Sequence, residues 1–242
     1  MELNKIYNMD FRKGLKLLKE INLDYKIITD PPYNINFKYD NYNDNLGCEE
    51  YIELISNLKN EKLAIIHYPE ETMKYFIPAL GIPNEVNVWC YNSNLPGRQS
   101  RLINYYNLSP NYNKVKQQYK NLADKRIKER IRIQKEKGEE IGTRSYDWFN
   151  DIQLVKNVSK DKNIHPCPIP IKLYERIIKL ISNEKDIIID TFAGTGNFAI
   201  ACLNTNRNFI GFELSEKYCN IANLRIDDAY LEREQMRIED IF

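Results

Sequence analysis

Residues 186–213 read DIIIDTFAGTGNFAIACLNTNRNFIGFE, an order of strand, glycine turn, helix and second strand. The isoleucines before Asp190 and the apolar run before Glu213 fit two short buried strands. Gly194 and Gly196 allow a tight turn after the first strand and a close approach of the backbone to a ligand. The stretch therefore predicts a parallel α/β sheet with a ligand site where the strands end.

Two acids frame this glycine turn and limit the ligand that it can hold. Glu213 follows Asp190 by 23 residues, the distance at which an acid on the next strand holds two ribose hydroxyls. Gly194-x-Gly196-x-x-Ala199 also satisfies the pattern of NAD-binding proteins, so NAD is one candidate. Asp190 would repel a pyrophosphate but suits an ammonium group, as in the methionyl part of S-adenosylmethionine. S-adenosylmethionine is therefore the favoured cofactor, and a purely structural turn is the alternative reading of the glycines.

A second stretch, IITDPPYNI at residues 27–35, ends an apolar run with an acid, two prolines and a tyrosine. Each proline removes a backbone donor, so the strand ladder has to stop there. Asp30 and Tyr33 are thereby placed just past the carboxyl end of a strand, where open α/β sheets bind ligands. An ordinary turn that closes a strand is the alternative reading.

The whole chain alternates short apolar strands with helical patterns, which is typical of a largely parallel, doubly wound, Rossmann-like α/β sheet. The predicted strands are Lys5–Tyr7, Tyr25–Thr29, Lys62–His67, Val86–Tyr91, Ile187–Asp190 and Asn208–Glu213. The predicted helices are Phe11–Glu20, Glu49–Leu58, Pro170–Ser182, Asn197–Asn204 and Glu216–Tyr230.

Residues 92–150 break this alternation and predict a small basic insertion on the sheet. Between Gly97 and Lys137, twelve Lys and Arg stand against three Asp and Glu, although the net charge of the chain is only +1. Such a local excess indicates a surface that binds a polyanion, and a solvated helical face is the alternative. The candidate phosphate contacts are Arg98, Arg101, Lys114, Lys116, Lys120, Lys125 and Arg126. The candidate base-reading side chains are Asn92, Asn94, Arg98 and Arg101.

Composition limits the other classes of protein and site. The 242 residues fit one large domain, and no apolar run approaches the length of a membrane span. The five cysteines are scattered, with no C-x-x-C pattern and only two histidines, so neither a disulfide framework nor a metal site is expected. Because the chain opens without a signal-peptide pattern, we expect a cytoplasmic protein.

The order of the two motifs, DPPY at 30–33 before DTFAGTG at 190–196, resembles the β group of amino-methylating DNA methyltransferases. These enzymes modify adenine N6 or cytosine N4. NKIYNMDFRKGLKLL, IHPCPIPIKLYERII and NRNFIGFELSEKYCNIANLRI match further segments of that family, so the resemblance covers nearly the whole chain. Thr191 departs from the family's usual proline, and His165-Pro-Cys-Pro-Ile-Pro170 departs from its usual Gln-Lys-Pro segment. We expect His165 to be structural.

The resemblance implies a division of the chain and a set of roles. Residues 1–91 would form the catalytic half, 92–150 the target-recognition insertion, and 151–242 the half that binds S-adenosylmethionine. Asp30 and the Pro31 carbonyl would accept the two hydrogens of the target amine, and Tyr33, held rigidly by Pro31 and Pro32, would stack on the flipped-out base. Cofactor contacts are implied for Asp10, Asp190, Phe192, Gly194, Gly196 and Glu213. An N-cap role for Asp10 and a core role for Phe192 are the alternatives.

The favoured function is that of an enzyme that transfers a methyl group from S-adenosylmethionine to adenine N6 at specific DNA sites. Most adenine enzymes of this kind begin the DPPY motif with Asp, as here; cytosine N4 methylation is the first alternative. Methylation of RNA or protein, an NAD-dependent oxidoreductase and a DNA-binding subunit without catalysis are less favoured. Double-stranded DNA is the expected partner, and a homodimer and a cognate restriction nuclease are compatible with the sequence.

Overall fold

The computed structural model describes residues 1–37, 42–93, 97–155 and 168–239, with side chains as far as residue 235. Within these ranges the chain forms an eight-stranded sheet with an apolar cluster on each face, and a separate two-stranded sheet. The predicted doubly wound α/β fold is confirmed.

The large sheet is mostly parallel. Its strands are β1 (Lys5–Asn8), β2 (Lys26–Thr29), β3 (Leu63–His67), β4 (Glu85–Cys90), β5 (Ser100–Tyr106), β8 (Trp148–Phe149), β9 (Ile187–Asp190) and β10 (Asn208–Glu213), and β6 (Lys116–Gln117) pairs with β7 (Thr143–Arg144) in the small sheet. The order across the large sheet is β1-β10-β9-β2-β3-β5-β4-β8. The five strands from β1 to β3 in this order pair in parallel. β5 runs antiparallel to both of its neighbours, β3 and β4. All six predicted strands are present.

Helices cover both faces of this sheet. They are α1 (Phe11–Glu20), α2 (Cys48–Ser56), α3 (Pro69–Glu71), α4 (Ile77–Leu80), α5 (Lys125–Glu136), α6 (Ile171–Ile181), α7 (Asn197–Asn204) and α8 (Glu216–Glu239). A π-helical turn, Thr72–Phe76, joins α3 to α4. The first two helices and the π-helical turn contribute Leu18, Tyr51 and Phe76 to the apolar cluster on one face. Helices α6 and α7 contribute Ile177 and Phe198 to the apolar cluster on the other face.

The apolar spacing of α1 explains why this segment is a helix. Its buried residues are Phe11, Gly14, Leu15 and Leu18, which recur at intervals of three and four and so fall on one side. Gly14 is required for the close packing, because a Cβ there would lie 2.3 Å from the ring of Phe212 in β10. The helix therefore lies directly against the sheet beside the end of β10.

The crevice between β2 and β9 is the switch point of the sheet. From β9 the chain passes through α7 on one face to β10, and from β2 it passes through α2 on the opposite face to β3. Because the two connections leave toward opposite faces, a crevice opens at the carboxyl ends of the two strands. Thr29 ends β2 and Asp190 ends β9, so the two motifs of the sequence meet there.

The segment predicted as an insertion contributes strands to the large sheet, so its boundary at residue 92 is corrected. β5 pairs with β3 and β4, and β8 pairs with β4. The part outside the large sheet runs from residue 107 to residue 147 and contains α5 and the small sheet. Arg101 and Asn104 are buried polar residues that interrupt the apolar pattern of β5, which is why the strand was missed in the sequence.

Two classes of feature are absent from the described ranges. None of the helices there is both long enough and apolar enough to cross a membrane. The same residues contain no group of three His, Cys, Asp or Glu side chains that could hold a metal ion. His165 and Asn94, singled out in the sequence, lie outside the described residues.

Candidate active site

A cavity lies over the carboxyl ends of β1, β2, β9 and β10. It is lined by Asp30–Tyr33 after β2, by Thr191–Thr195 after β9 and by Glu213–Ser215 after β10. Met9 and the first residues of α1 complete this wall. The DPPY motif and the glycine loop, far apart in the sequence, therefore share one cavity.

The two glycines of the loop have different tasks. Both adopt left-handed backbone conformations, with φ of +52° at Gly194 and +83° at Gly196, which strain any residue with a Cβ. Gly194 lines the cavity. Gly196 caps α7, and a Cβ there would lie 3.1 Å from the Cβ of Ala222 and 3.2 Å from Cδ1 of Ile6. The first glycine thus shapes the ligand wall, and the second allows close packing behind it.

Glu213 lines the cavity and ties the glycine loop to β10. Its Oε2 accepts the N–H of Gly194 at 2.8 Å, and its Oε1 accepts the N–H of Ser215 at 2.8 Å. Burial raises the pKa of Glu213, and these backbone donors oppose the rise. The carboxylate is thus fixed in orientation, with lone pairs left on both oxygens for hydroxyl donors.

Asp190 takes a position that differs from the predicted one. It is 1 % exposed and is not among the described residues that line the cavity. Its Oδ1 accepts the hydroxyl of Thr29 at 2.7 Å and the N–H of Phe192 at 3.0 Å. Burial raises its pKa to about 7. The predicted contact with a ligand's ammonium group is corrected: this acid lies beneath the loop and anchors it to the end of β2.

Asp10 and Phe192 each have a structural role and both also line the cavity, while their contact with a cofactor stays a prediction. Asp10 caps α1, accepting the N–H of Arg12 at 2.8 Å, and it also lines the cavity. A hydrogen bond from the Arg12 side chain holds the pKa of Asp10 below its usual value. Phe192 lines the cavity while its ring packs 5.0 Å from that of Phe11, centre to centre.

Asp30 and Tyr33 form a hydrogen-bonded pair at the wall of the cavity. The Tyr33 hydroxyl donates to the Asp30 carboxylate, 2.7 Å from Oδ1 and 3.0 Å from Oδ2. Burial raises the pKa of Asp30 to about 6, and the nearby charge of Arg101 and the Tyr33 hydroxyl oppose the rise. The structure therefore presents a carboxylate acceptor whose pKa lies above its usual range.

The ring of Tyr33 is less accessible than the sequence predicted. It is 4 % exposed, with its centre 4.5 Å from the ring of His67 and 5.2 Å from that of Tyr68. In the structure this ring packs against His67 of β3 and the following Tyr68, while it also lines the cavity. Stacking on a flipped-out base stays a prediction.

Residues that sequence reasoning missed hold the DPPY segment in place. The Tyr51 hydroxyl of α2 donates to the Pro32 carbonyl. Asp44, 2 % exposed, accepts the backbone N–H groups of Asn34, Ile35 and Phe37 at 2.7, 3.1 and 2.9 Å. An acid followed by a helix start is too common a pattern to reveal this loop anchor in the sequence.

Comparisons with known proteins identify the family of this fold. A family model described as DNA methylase, for N6 and N4 methyltransferases, matches residues 25–224. The chain belongs to this family of DNA methylases. The sequence resemblance is thereby confirmed.

Two curated relatives match this DNA methylase over most of its length. It is 29 % identical over 231 residues to the type II methyltransferase M.HpaI of Haemophilus parainfluenzae, covering 90 % of this chain and 72 % of that protein. It is 28 % identical to M.BglII of Bacillus subtilis, covering 91 % and 68 %.

Solved structures share the fold at lower identity. The M1.HpyAVI–SAM complex is 22 % identical, with a TM-score of 0.59 over 92 % of this chain and 98 % of that one. The cytosine-N4-specific PvuII methyltransferase is 16 % identical, with a TM-score of 0.60 over 93 % and 90 %. At these identities the likeness establishes the fold of the DNA methylase.

The accessible residues among the predicted DNA contacts lie on two segments of the chain. Lys116, Lys120, Lys125 and Arg126 are exposed on the segment 107–147. Lys120 lies over two parallel rings, 4.2 Å from the centre of Tyr146 and 4.4 Å from that of Trp148. Arg98, in the loop before β5, lies 4.4 Å from the ring centre of Tyr68.

Two of the predicted DNA contacts have interactions within the protein, and one of them, Arg101, is corrected because it is buried. The Lys114 ammonium donates to the Ser182 carbonyl at 2.9 Å and to the Asn183 side chain at 2.7 Å, so it caps the end of α6. Arg101 is 5 % exposed and lies behind Tyr33 rather than on the surface. Counting basic residues could not reveal that Arg101 is buried, whereas Lys114 is exposed and stays a predicted DNA contact.

Proposed function

We propose that this DNA methylase transfers a methyl group from S-adenosylmethionine to the exocyclic N6 of adenine in double-stranded DNA. The observation that carries the proposal is the shared cavity, which the half-buried Asp30 acceptor lines together with the glycine loop and Glu213. The family and the type II relatives support DNA as the substrate.

The residues of the cavity fit S-adenosylmethionine. Glu213 is fixed by two backbone donors and suits the two ribose hydroxyls, and Gly194 offers a wall without a side chain. Phe192 and Asp10 border the same space and suit the adenine part. When bound, the sulfonium supplies an electrophilic methyl group. The fold shared with the M1.HpyAVI–SAM complex supports this choice of cofactor.

The protein's own contribution to the chemistry is a hydrogen-bond acceptor, Asp30, placed to bind the target amine. An exocyclic amine is a poor nucleophile because its lone pair is delocalised into the ring. The carboxylate of Asp30 and the carbonyl of Pro31 would accept the amine hydrogens and stabilise the positive charge that develops on nitrogen. The base must leave the duplex to reach this wall, which is the usual requirement for chemistry on a paired base.

Adenine N6 is favoured over cytosine N4 because the motif begins with Asp30, by the resemblance described above. Cytosine N4 is the second candidate, since the cytosine-N4-specific PvuII enzyme has the same fold with a TM-score of 0.60. The exposed basic residues of 107–147 are proposed to position the duplex through its phosphates. A cognate nuclease is proposed as a partner, because M.HpaI and M.BglII are type II methyltransferases.

Labelled S-adenosylmethionine and a mixed DNA test this function directly. We expect the wild-type protein to label the DNA, and separation of the product nucleosides by mass to give N6-methyladenine. N4-methylcytosine would keep the reaction and overturn the choice of base. Cofactor binding without any labelled DNA would contradict the proposed substrate.

We expect the rate of methyl transfer to fall as the pH drops through about 6. Burial raises the pKa of Asp30 to about 6, and only the ionised carboxylate carries the negative charge that stabilises the positive charge developing on the amine. Acid protonates the group and removes the acceptor, so activity is present above the pKa and lost below it. Single-turnover rates between about pH 5 and about pH 8 measure this. A rate that stays constant across that range would exclude Asp30 as the acceptor.

A further inference from the structure

A buried arginine lies behind the DPPY segment, where an uncompensated charge is costly. Arg101 is 5 % exposed and stands on β5, opposite Trp89 of β4. Its guanidinium carbon lies 5.2 Å from the ring centre of Tyr33, 5.1 Å from that of Tyr68 and 5.5 Å from that of Trp89. Contacts of a cation with ring faces offset part of the cost of burial.

The hydrogen bonding of this guanidinium is incomplete. Among the described residues, Nε and Nη1 of Arg101 are buried without a hydrogen-bond partner. Buried donors of this kind are rare, and each calls for a physical reason. The surroundings act on the guanidinium electrostatically: although burial lowers it, the pKa of Arg101 is raised well above its usual value by its interactions with Tyr33 and then with Asp30, and Asp30 is the carboxylate among these groups.

Tyr33 connects Arg101 to Asp30. Its ring lies under the guanidinium, and its hydroxyl donates to both oxygens of the carboxylate. A ring held from behind by a cation fixes the direction of its hydroxyl, and the hydroxyl fixes the plane of the carboxylate. Arg101 thus acts on Asp30 in two ways, through this contact and through its charge.

Other groups also face Asp30 and decide how it titrates. They are Tyr33 on its own segment, Arg101 on β5, Asp190 at the end of β9, Tyr174 on α6 and Tyr51 on α2. Burial, followed by the charge of Arg101, holds the pKa of His67 well below its usual value, so this neighbour of Tyr33 stays neutral. The tyrosines are also neutral, because burial raises the pKa of Tyr174, as it does for the others. Arg101 is therefore the cation of this set, and Asp190 is the competing acid.

We propose that Arg101 is a positioning residue for methyl transfer, which holds the Tyr33 ring and keeps the Asp30 carboxylate ionised and oriented toward the target amine. The catalytic part of this inference rests on the proposed function. The effect on Asp30 is a property of the free protein and is measurable without DNA.

Residue-resolved carbon NMR of the Asp side chains, recorded against pH, tests the electrostatic part. We expect the pKa of Asp30 to rise by about one unit in Arg101→Met, the order expected for loss of a unit charge several ångströms away. Arg101→Lys keeps the charge and should restore most of the wild-type value. Arg176→Met is the matched control, because Arg176 also packs on a ring, 5.0 Å from the centre of Phe149, but belongs to an ion pair with Asp151.

The same variants assayed for methyl transfer test the catalytic part. We expect the acid limb of the pH profile to move upward in Arg101→Met, with the wild-type rate partly recovered at high pH. An unchanged Asp30 titration, or a loss of rate that is equal at every pH, would overturn the proposal. Arg101→Gln replaces the Met variant if that one does not fold, and an Arg101→Lys protein that titrates like the neutral variants also counts against it. Wild-type protein without methyl transfer would refute the proposed function alone, since the NMR result stands separately.

Discussion

Asp30→Asn is expected to reduce methyl transfer by about 10³-fold while cofactor binding persists. An amide at this position carries no negative charge. Its NH₂ group can also turn toward the target amine, whose hydrogens it cannot accept. Removing one preorganised group that stabilises a developing charge lowers kcat by about 10²–10³-fold in known enzymes. In Asp30→Asn the negative charge of the carboxylate is lost as well. Single-turnover rates with saturating cofactor measure the effect.

The same substitution is expected to leave the free energy of unfolding unchanged or to raise it. The pKa of Asp30 is raised from 3.8 to about 6 by burial, so above that pKa the ionised form destabilises the folded protein. A rise of about two units corresponds to at most about 3 kcal/mol, which the neutral amide would recover in part. The Oδ1 of the amide still accepts the Tyr33 hydroxyl.

Thermal unfolding at neutral pH distinguishes this outcome from simple loss of structure. Asp24→Asn is a suitable control, because Asp24 is exposed and paired with Lys62 on the surface. It should leave both the rate and the unfolding temperature close to those of the wild type. An Asp30→Asn protein that still methylates DNA, or one that fails to fold, would contradict the role given to this carboxylate.

Glu213→Ala is expected to weaken S-adenosylmethionine binding by more than about 10²-fold. The substitution removes the acceptors proposed for two ribose hydroxyls, and hydrogen bonds to a charged group contribute about 1.5–3 kcal/mol each. It also releases the N–H groups of Gly194 and Ser215, so the glycine loop loses its tie to β10. Both effects act on the same ligand wall.

Calorimetric titration with S-adenosylmethionine measures this loss, and Glu213→Gln refines it. The amide keeps one acceptor but places an NH₂ against a backbone N–H, so an intermediate affinity is expected. Glu232→Ala, an exposed acid on α8, serves as the control and should bind like the wild type. Wild-type affinity in Glu213→Ala would place the ribose elsewhere in the cavity.

Much of the fold followed from local signals in the chain. The spacing of apolar residues predicted α1 and α7 with their observed bounds, and the prolines after Thr29 placed the end of β2. The acid, glycine loop and distal acid placed Glu213 and Gly194 at a common cavity, as the structure has them. These signals succeed because each depends on a few consecutive residues.

The rest depended on contacts between distant parts of the chain. The sequence does not predict β5, because Arg101 and Asn104 interrupt its apolar pattern. Composition alone cannot show that a charged side chain is buried. The sequence placed Asp190 and Tyr33 correctly at the carboxyl ends of the strands. It did not predict which residues contact them. The Thr29 hydroxyl donates to one carboxylate oxygen of Asp190. The rings that contact Tyr33 are those of His67 in β3 and of the next residue, Tyr68.

The reversed direction of β5 carries the chain of this DNA methylase away from the candidate active site. The strand begins beside Tyr33 and ends at the opposite edge of the sheet, where Tyr106 pairs with Leu63 at the start of β3. The segment 107–147 therefore leaves the large sheet at the edge opposite Asp30. A change of length at the start of that segment would leave the paired residues beside Tyr33 in place.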